Sequence, residues 1–536
     1  MDVAHTPQRN PSQVPVRVRD LGMSTAAVML ATFASILFGF GREVVNARYY
    51  GERWELDAFL VASIIPTLVF GVFSGALVSA LVPVFSEYFA NERAEEAWRL
   101  SSTVINVLLI VLSAGALVAW LAAPTITRLF ASSWTEPGTG VAIRMTRILM
   151  PTIIATSIAG VMQALLNAQH RFRAASLQGV ALNICTVAGV LFFYNRYGIF
   201  ALVFATAAGL VAQLLVQLPS YFRRCKYRFV IDLHHPGLRA LYLMLGPIAV
   251  GSAVGQINLL FDKYFASTLQ PGNIAAMQYA TKVVGFPQQL FAAAIATVIF
   301  PMLSAQFATN DIASLRSTAS SGLRMTALIT MPAAMGLIIL AQPIIGALFE
   351  RGEFTHGDVV RTAGAMQFYA VGLLGIAASI VLTRCFFAMR DSRTPVAIAV
   401  GVVVLNIIGS ALLVRPFGVN GLATANSIAS ITEAIVLYVI LNRRIGSENA
   451  LIVSCVARVG LASLVMGAAA FIVERLLWHD AGTLLQHLTT LAAAMVTGAI
   501  VFLSVGTALR VRELAKLLAL GAEYIERRAE SVAEGR

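Results

Sequence analysis

The chain has 536 residues, of which 58% are hydrophobic and 12% charged, about half the charged share of an ordinary soluble domain. That composition excludes a soluble globular protein: a helix rising ~1.5 Å per residue crosses a ~30 Å hydrocarbon core in ~20 apolar residues, and this chain has room for many crossings. Lys and Arg number 39 against 27 Asp and Glu, a formal charge of +12. These basic residues are scattered between apolar runs rather than gathered with aromatics, which excludes a nucleic-acid partner and points to topology and anionic membrane lipid.

In chain order, the first apolar run covers 22–49 and ends in FGFGREVVNARYYG, residues 38–51, which places Arg42, Glu43 and Arg48 where a span should finish. It reads as a retained first helix and not a signal peptide, because so many apolar runs follow. Those runs are 56–85, 101–123, 143–168, 175–194, 199–222, 240–266, 274–304, 322–348, 359–388, 395–413, 419–441, 451–473 and 487–509, fourteen in all. The expected fold is an all-α polytopic membrane protein. The stretch RELAKLLALGAEYIERRAE, within a tail at 512–536, has the spacing of an amphipathic helix, and a solvated helical tail fits equally. Cys185, Cys225, Cys385 and Cys455 lie far apart with no CxxC pair, so neither a disulfide framework nor a zinc site is expected.

The basic residues orient these spans. Connections after even-numbered helices, with the two termini, carry 24 Lys and Arg; the opposite side carries 9. By the positive-inside rule both termini are cytoplasmic. The remaining six, Arg42, Arg48, Lys263, Lys282, Arg384 and Arg458, fall inside predicted spans.

A repeat recurs at an offset near 220. NAQHRFR at 167–173 aligns with FAMRDSR at 387–393, GIFALVFATA from Gly198 with GVNGLATANS from Gly418, and VPVFSEYFAN from 82 with FPMLSAQFAT from 300. Three ordered matches predict two related six-helix lobes, 21–228 and 229–445, after a tail at 1–20 and before two further helices at 446–511. Six helices per repeat give both lobes the same orientation, with a pseudo-two-fold axis along the membrane normal and a substrate site expected between them.

A charge at bilayer depth costs several kcal/mol unless it is paired, hydrated or snorkelled. Arg458 is close enough to its helix start to snorkel. Arg42 shares a helix face with Val45 and Tyr49, after Gly39 and Gly41, and is read as a cavity residue; Arg48 and Arg384 fit cavity and anchor equally. Asp262 with Lys263 reads as an interfacial pair, and Lys282 has no acid nearby in its own helix. Asp57 would balance part of this charge, although a helix cap is its simpler role. Cationic side chains in a low-dielectric cavity suit a phosphate or diphosphate.

The motifs FGFGREVVNARYYG with LDAFLVASIIPTL, LLNAQHRF, FDKYFASTL with MQYATKVVGFPQQLFAAAIATVIFPMLS, LFERGEFT and TRCFFAMRDSRTPV resemble the MurJ/MviN family of lipid II flippases, within the MOP exporter superfamily. The resemblance implies two six-helix lobes, two extra C-terminal helices and a cationic central cavity. It further implies alternating-access movement of an undecaprenyl-diphosphate-linked peptidoglycan precursor across the bacterial inner membrane, with no covalent chemistry and no cofactor. By motif, Arg42, Asp57, Lys282 and Arg384 match family cavity positions, with Arg48 a further candidate for the substrate. Some members carry a cation site on helices 7, 11 and 12, for which Asp262, Asn406 and Asn426 are the candidates here; membrane potential, Na+ or H+ are the implied drives. The implied partners are the lipid-linked saccharide, membrane lipids and the cell-wall synthesis machinery.

Helix 2 departs from the family pattern. Ile64 stands where many members have a basic residue, and residues 70–75 run one short of their paired-arginine turn. That leaves an alternative cargo open, another polyprenyl-linked exopolysaccharide or O-antigen unit. A cation-coupled small-molecule exporter is a second rival. A membrane glycosyltransferase is disfavoured, because the external connections are short.

Overall fold

The computed structural model describes residues 18–69, 75–131, 134, 136–223, 225–446, 448–477 and 484–519. Every regular element among the described residues is helical. In chain order these are α1 (Val18–Tyr50), α2 (Trp54–Ala62), α3 (Ile64–Val69), α4 (Gly75–Ala90), α5 (Ala94–Leu121), α6 (Ala123–Phe130), α7 (Glu136–Leu149), α8 (Thr152–Ala168), α9 (Phe172–Ser176), α10 (Gln178–Tyr197), α11 (Ile199–Leu215) and α12 (Leu218–Phe222). There follow α13 (Pro236–Ser267), α14 (Asn273–Pro287), one π-helical turn (Gln288–Ala292), α15 (Ala293–Ala308), α16 (Ile312–Ile339), α17 (Ala341–Phe349), α18 (His356–Val371), α19 (Leu373–Ala388), α20 (Arg393–Ile445), α21 (Asn449–Leu477) and α22 (Leu484–Ala508).

Among the described residues, nine helices are long and apolar enough to cross a bilayer, or eleven when two bent pairs each count as one span. One of the nine, α20, holds two of the fourteen predicted spans. The predicted span at 56–85 is interrupted at Ser63, because Pro66 offers no N–H to the Ala62 carbonyl. Its family-variant stretch 70–74 lies outside the described residues, as does the tail beyond 519.

The chain separates into two compact units. The first lies within Met1–Arg42, Phe73–Val118 and Pro151–Ile248, and the second within Glu43–Val72, Ala119–Met150 and Ala249–Arg536. In the first, Leu81, Phe85, Leu100, Leu165 and Tyr221 form a buried core between α4, α5, α8 and α12. The segment after it is tied to a polar row on α5: Asn106 Nδ2 donates to the Val230 carbonyl at 3.0 Å, and Ser102 and Thr103 accept from the Arg228 and Asp232 amides. In the second unit Leu303, Leu382, Phe386 and Leu437 form one core. Val459, Met466 and Phe502 join α21 and α22 in another.

The 220-residue offset recurs in the backbone. A straight 53-residue α20 would be ~80 Å long, more than twice the hydrocarbon thickness. Gly418, at φ 59° and ψ −135°, breaks it into two limbs that fold together, with Gly409 against Ala425 and Gly421 against the Leu413 carbonyl. In the first unit Gly198, at φ 54° and ψ −130°, joins α10 to α11 with Gly189 packed on Ala205. Small residues let the backbones approach closely where apolar burial gives no preference for helix over lipid. The helix ends match too. Left-handed residues follow α4 and α15 at Glu92 and Asn310, 218 apart, and follow α8 and α19 at His170 and Arg390, 220 apart. At each, the next amide bonds back five residues: Arg93 to Tyr88, Asp311 to Gln306, Arg171 to Leu166 and Asp391 to Phe386.

Outside the membrane, Asp391 accepts from the Arg393 and Thr394 amides, the Thr394 hydroxyl and, at 2.5 Å, Arg444. The Thr394 hydroxyl and Arg444 hold its carboxyl at about 2, so its stabilising effect is complete above the usual aspartate range and is lost only as pH falls towards 2. Replacing Gly418 with Ala is expected to destabilise the purified protein by roughly 1–3 kcal/mol, because φ near +60° with extended ψ is a glycine conformation. Gly401→Ala, in open helical space, is expected to be neutral or mildly stabilising. Thermal unfolding in detergent reads both, and equal midpoints for the two variants would refute the hairpin assignment.

Candidate functional site

The polar residues that gather most closely lie in the second unit, where the end of α1 and the start of α2 meet the segments around 272 and 352. Gly51, at φ 56°, ends α1 and sits against the Glu353 carbonyl. The Glu353 amide donates to the Arg48 carbonyl at 2.9 Å, and Gly352, at φ 62°, packs on that same carbonyl. A side chain at either glycine would force the two segments apart.

Two acids complete this clasp. The Glu52 side chain is fully buried and is met by Arg361 Nη1 at 3.1 Å and by the Thr362 hydroxyl. Burial pushes its pKa well above the usual glutamate range, while Thr362 and Arg361 pull it back. Asp57, also buried, accepts from the Gly272 amide at 2.6 Å and the Ala275 amide at 2.8 Å. It therefore does cap a helix, but the helix is α14, more than 200 residues away, and not its own. The first amides of a helix have no internal partner, and a carboxylate satisfies them while complementing the helix dipole. Beneath it Tyr279 donates to the Gly51 carbonyl and packs against Phe349 and Phe354, 5.1 and 5.5 Å away between ring centres. Arg53 pairs with Glu353 at the rim.

Deeper in the same unit the intramembrane charges separate. Lys263 is buried and donates to the Leu60 carbonyl at 3.4 Å, one turn before the interruption at Ser63. Sequence pairing of Asp262 with Lys263 is thus replaced by two separate environments. Asp262 accepts from Asn406 Nδ2 at 2.9 Å, and the same amide nitrogen donates to Asn258 Oδ1 at 2.8 Å. The buried Asn406 Oδ1 has no hydrogen-bond partner among the described residues. These oxygens form a donor set of the kind a hard cation takes. Asn426, on the other limb of α20, makes no hydrogen bond to this cluster; its carbonyl accepts from Ser430. No group of three or more His, Cys, Asp or Glu suited to a metal occurs among the described residues.

Of the candidate substrate residues, Arg42 lies in the first unit and is partly buried; it has a partner. Lys282 is exposed on α14, the helix that Asp57 caps, six residues before the π-helical turn begins at Gln288. Arg48 is exposed with its guanidinium 5.9 Å from the Tyr49 ring, and it is the Arg48 carbonyl that takes part in the clasp. Arg384 is exposed over Phe300 at 5.7 Å. Sequence reasoning missed Glu52, Thr362 and Arg361 as a group. Arg361 registered only as a topological charge, and no local spacing links residues 309 and 310 positions apart.

A two-unit helical protein whose spans carry charges and whose paired hairpins recur at one offset is a multi-pass membrane protein by fold. The inward-facing structure of a multidrug resistance MATE family transporter of the MOP superfamily shares it, with a TM-score of 0.66 at 16% identity over 77% of this chain and 94% of that one. The particular family follows from the sequence. The family model for the lipid II flippase MurJ matches residues 46–493, and the chain belongs to that family. It is 30% identical over 430 residues to the lipid II flippase MurJ of Burkholderia cenocepacia, covering 77% of this chain and 82% of that protein. It is also 30% identical over 428 residues to the probable lipid II flippase MurJ of Vibrio cholerae, covering 77% and 81%. A solved lipid II flippase MurJ in an inward closed conformation superposes with a TM-score of 0.78 at 26% identity, over 91% of this chain and 99% of that one. The resemblance and the all-helical fold read from the sequence are both borne out.

Asp57→Ala is expected to destabilise the protein by roughly 1–2 kcal/mol through the lost cap, with Asp57→Asn recovering part of it. Thermal unfolding in detergent checks this, and an unchanged midpoint in Asp57→Ala would show that the cap carries no weight.

Proposed function

We propose that this protein flips lipid II across the bacterial cytoplasmic membrane by alternating access. The observation that carries the reading is the family match across 46–493, supported by relatives and a solved structure that bear the name lipid II flippase. In this reading Arg42 and Lys282 hold the diphosphate, Arg48 and Arg384 add positive charge along its path, and Asp57 acts indirectly by fixing the start of the helix that carries Lys282. Two cations suit a diphosphate because arginine offers paired donors and lysine a compact charge. Both termini lie in the cytoplasm, a reading supported by the 24 to 9 division of basic residues. The precursor then moves from the face where it is made to the face where the wall-building machinery uses it.

The oxygens of the buried Asp262 and Asn406 and of the half-buried Asn258 support coupling to Na+ or H+, with Asn426 as a further donor should α20 rearrange. The apolar, buried Ile64 favours one second reading, a flippase for another polyprenyl-diphosphate-linked saccharide.

Expression in cells depleted of their own lipid II flippase separates the two. Rescue of growth is expected; failure despite normal membrane levels would transfer the assignment to another lipid-linked saccharide. In the rescuing background Arg42→Ala and Lys282→Ala are each expected to abolish growth while protein accumulates normally. Retained growth in both variants would remove the diphosphate-holding role. For coupling, Asp262→Asn is expected to slow transport measured in proteoliposomes while leaving lipid II binding unchanged. An unaltered rate and an unaltered response to an imposed ion gradient would sink the coupling role.

A further inference from the structure

At the same end of the second unit as the clasp, the last turns of α13 and the end of the first limb of α20 enclose a groove of about 680 Å³. Its walls include Tyr264, Phe265, Leu269, Leu412 and Val414, with Thr268 a polar member and Arg415 the charged one. The volume falls within the range of roughly 300–1,000 Å³ typical of small-ligand sites. The walls are held in place: Tyr264 meets Phe130 edge-on at 6.2 Å and Phe265 at 5.6 Å. The outer flank is open, with Leu412 69% and Phe417 62% exposed, side chains suited only to hydrocarbon in a membrane protein.

The Arg415 side chain is exposed and makes no hydrogen bond, ion pair or ring contact with any described residue, unlike those of Arg48 and Arg384, which lie against aromatic rings. It stands just before Pro416 and the break at Gly418, where the chain turns at the surface of the membrane. A snorkelling arginine reaches water along its own stem and needs no lined groove. Here an unengaged guanidinium lines a groove whose other walls are mainly apolar. Neither the clasp nor the Asp262 cluster uses it.

We infer that this groove binds an anionic glycerophospholipid of the surrounding membrane, its phosphate on Arg415 and an acyl chain along Phe265, Leu269 and Leu412. The occupant is argued from charge and from access. A neutral apolar molecule leaves Arg415 unpaired, and a soluble anion leaves the walls exposed. Only an anion carrying a hydrocarbon chain and arriving from the bilayer satisfies both, and guanidinium is the side chain best matched to phosphate.

The test is native mass spectrometry of the full-length protein, purified in detergent, delipidated and titrated with phosphatidylglycerol or phosphatidylcholine of identical acyl chains. One tightly held phosphatidylglycerol is expected, roughly tenfold favoured over phosphatidylcholine, with that preference lost in Arg415→Ala. Leu412→Trp, which fills the groove and keeps the charge, is expected to release both lipids from this site. Equal retention of the two lipids by the unaltered protein, or an Arg415→Ala profile matching it, overturns the assignment. So does undecaprenyl phosphate displacing phosphatidylglycerol in an Arg415-dependent way at equal concentration, since the groove would then belong to a polyprenyl lipid.

Discussion

The start of α14 depends on a carboxylate that the chain places some 215 residues earlier. Asp57 supplies acceptors to Gly272 and Ala275, and with Glu52 on Arg361 it fixes the end of α1 and all of α2 against the second repeat. Buried amides at a helix start must find acceptors inside the protein, because the bilayer offers none. Once Asp57 meets that demand, the position of Lys282 along α14, the seat of Tyr279 under Gly51 and the close approach of Gly352 to the Arg48 carbonyl all follow. This also explains why the second compact unit begins at Glu43 and takes in α2 and α3.

The same demand shapes both repeats. Each has a hairpin turned by one glycine and packed through small residues, and each ends two helices in left-handed turns whose amides bond back five residues. In hydrocarbon, apolar side chains gain little by choosing another helix over lipid, so backbone satisfaction and close contact carry the fold. Conservation of that geometry at offsets of 218 and 220, where side chains such as His170 and Arg390 differ, indicates that the duplicated property is the path of the backbone.

What the sequence made legible follows from this division. Apolar runs located most helices because span length is set by the bilayer, and Gly198 aligned with Gly418 because the hairpin needs glycine at that turn. Asp57 was legible as a cap by residue type and position, but not as a cap for a distant helix. Pairing Asp262 with Lys263 from adjacency failed because neighbours on a helix point about 100° apart, and each found its own partner on another element. Glu52 was invisible for a different reason: an acid in a short loop has the look of a solvated residue until Arg361, 309 positions on, is brought to it. Arg48 shows the limit of reading side chains alone, since its carbonyl makes the contact that joins the segments.

The left-handed turns after α4, α8 and α19 carry a consequence for how this chain tolerates change. Arg93, Arg171 and Arg390 sit at the carbonyl ends of their helices, where a positive charge complements the negative pole of the helix dipole. They also belong to the basic residues that weigh the chain toward one face of the membrane. A single neutralising substitution there therefore disturbs insertion and folding together. Drift at these loops is constrained twice over, by the balance of charge across the membrane and by the left-handed turn that ends each helix.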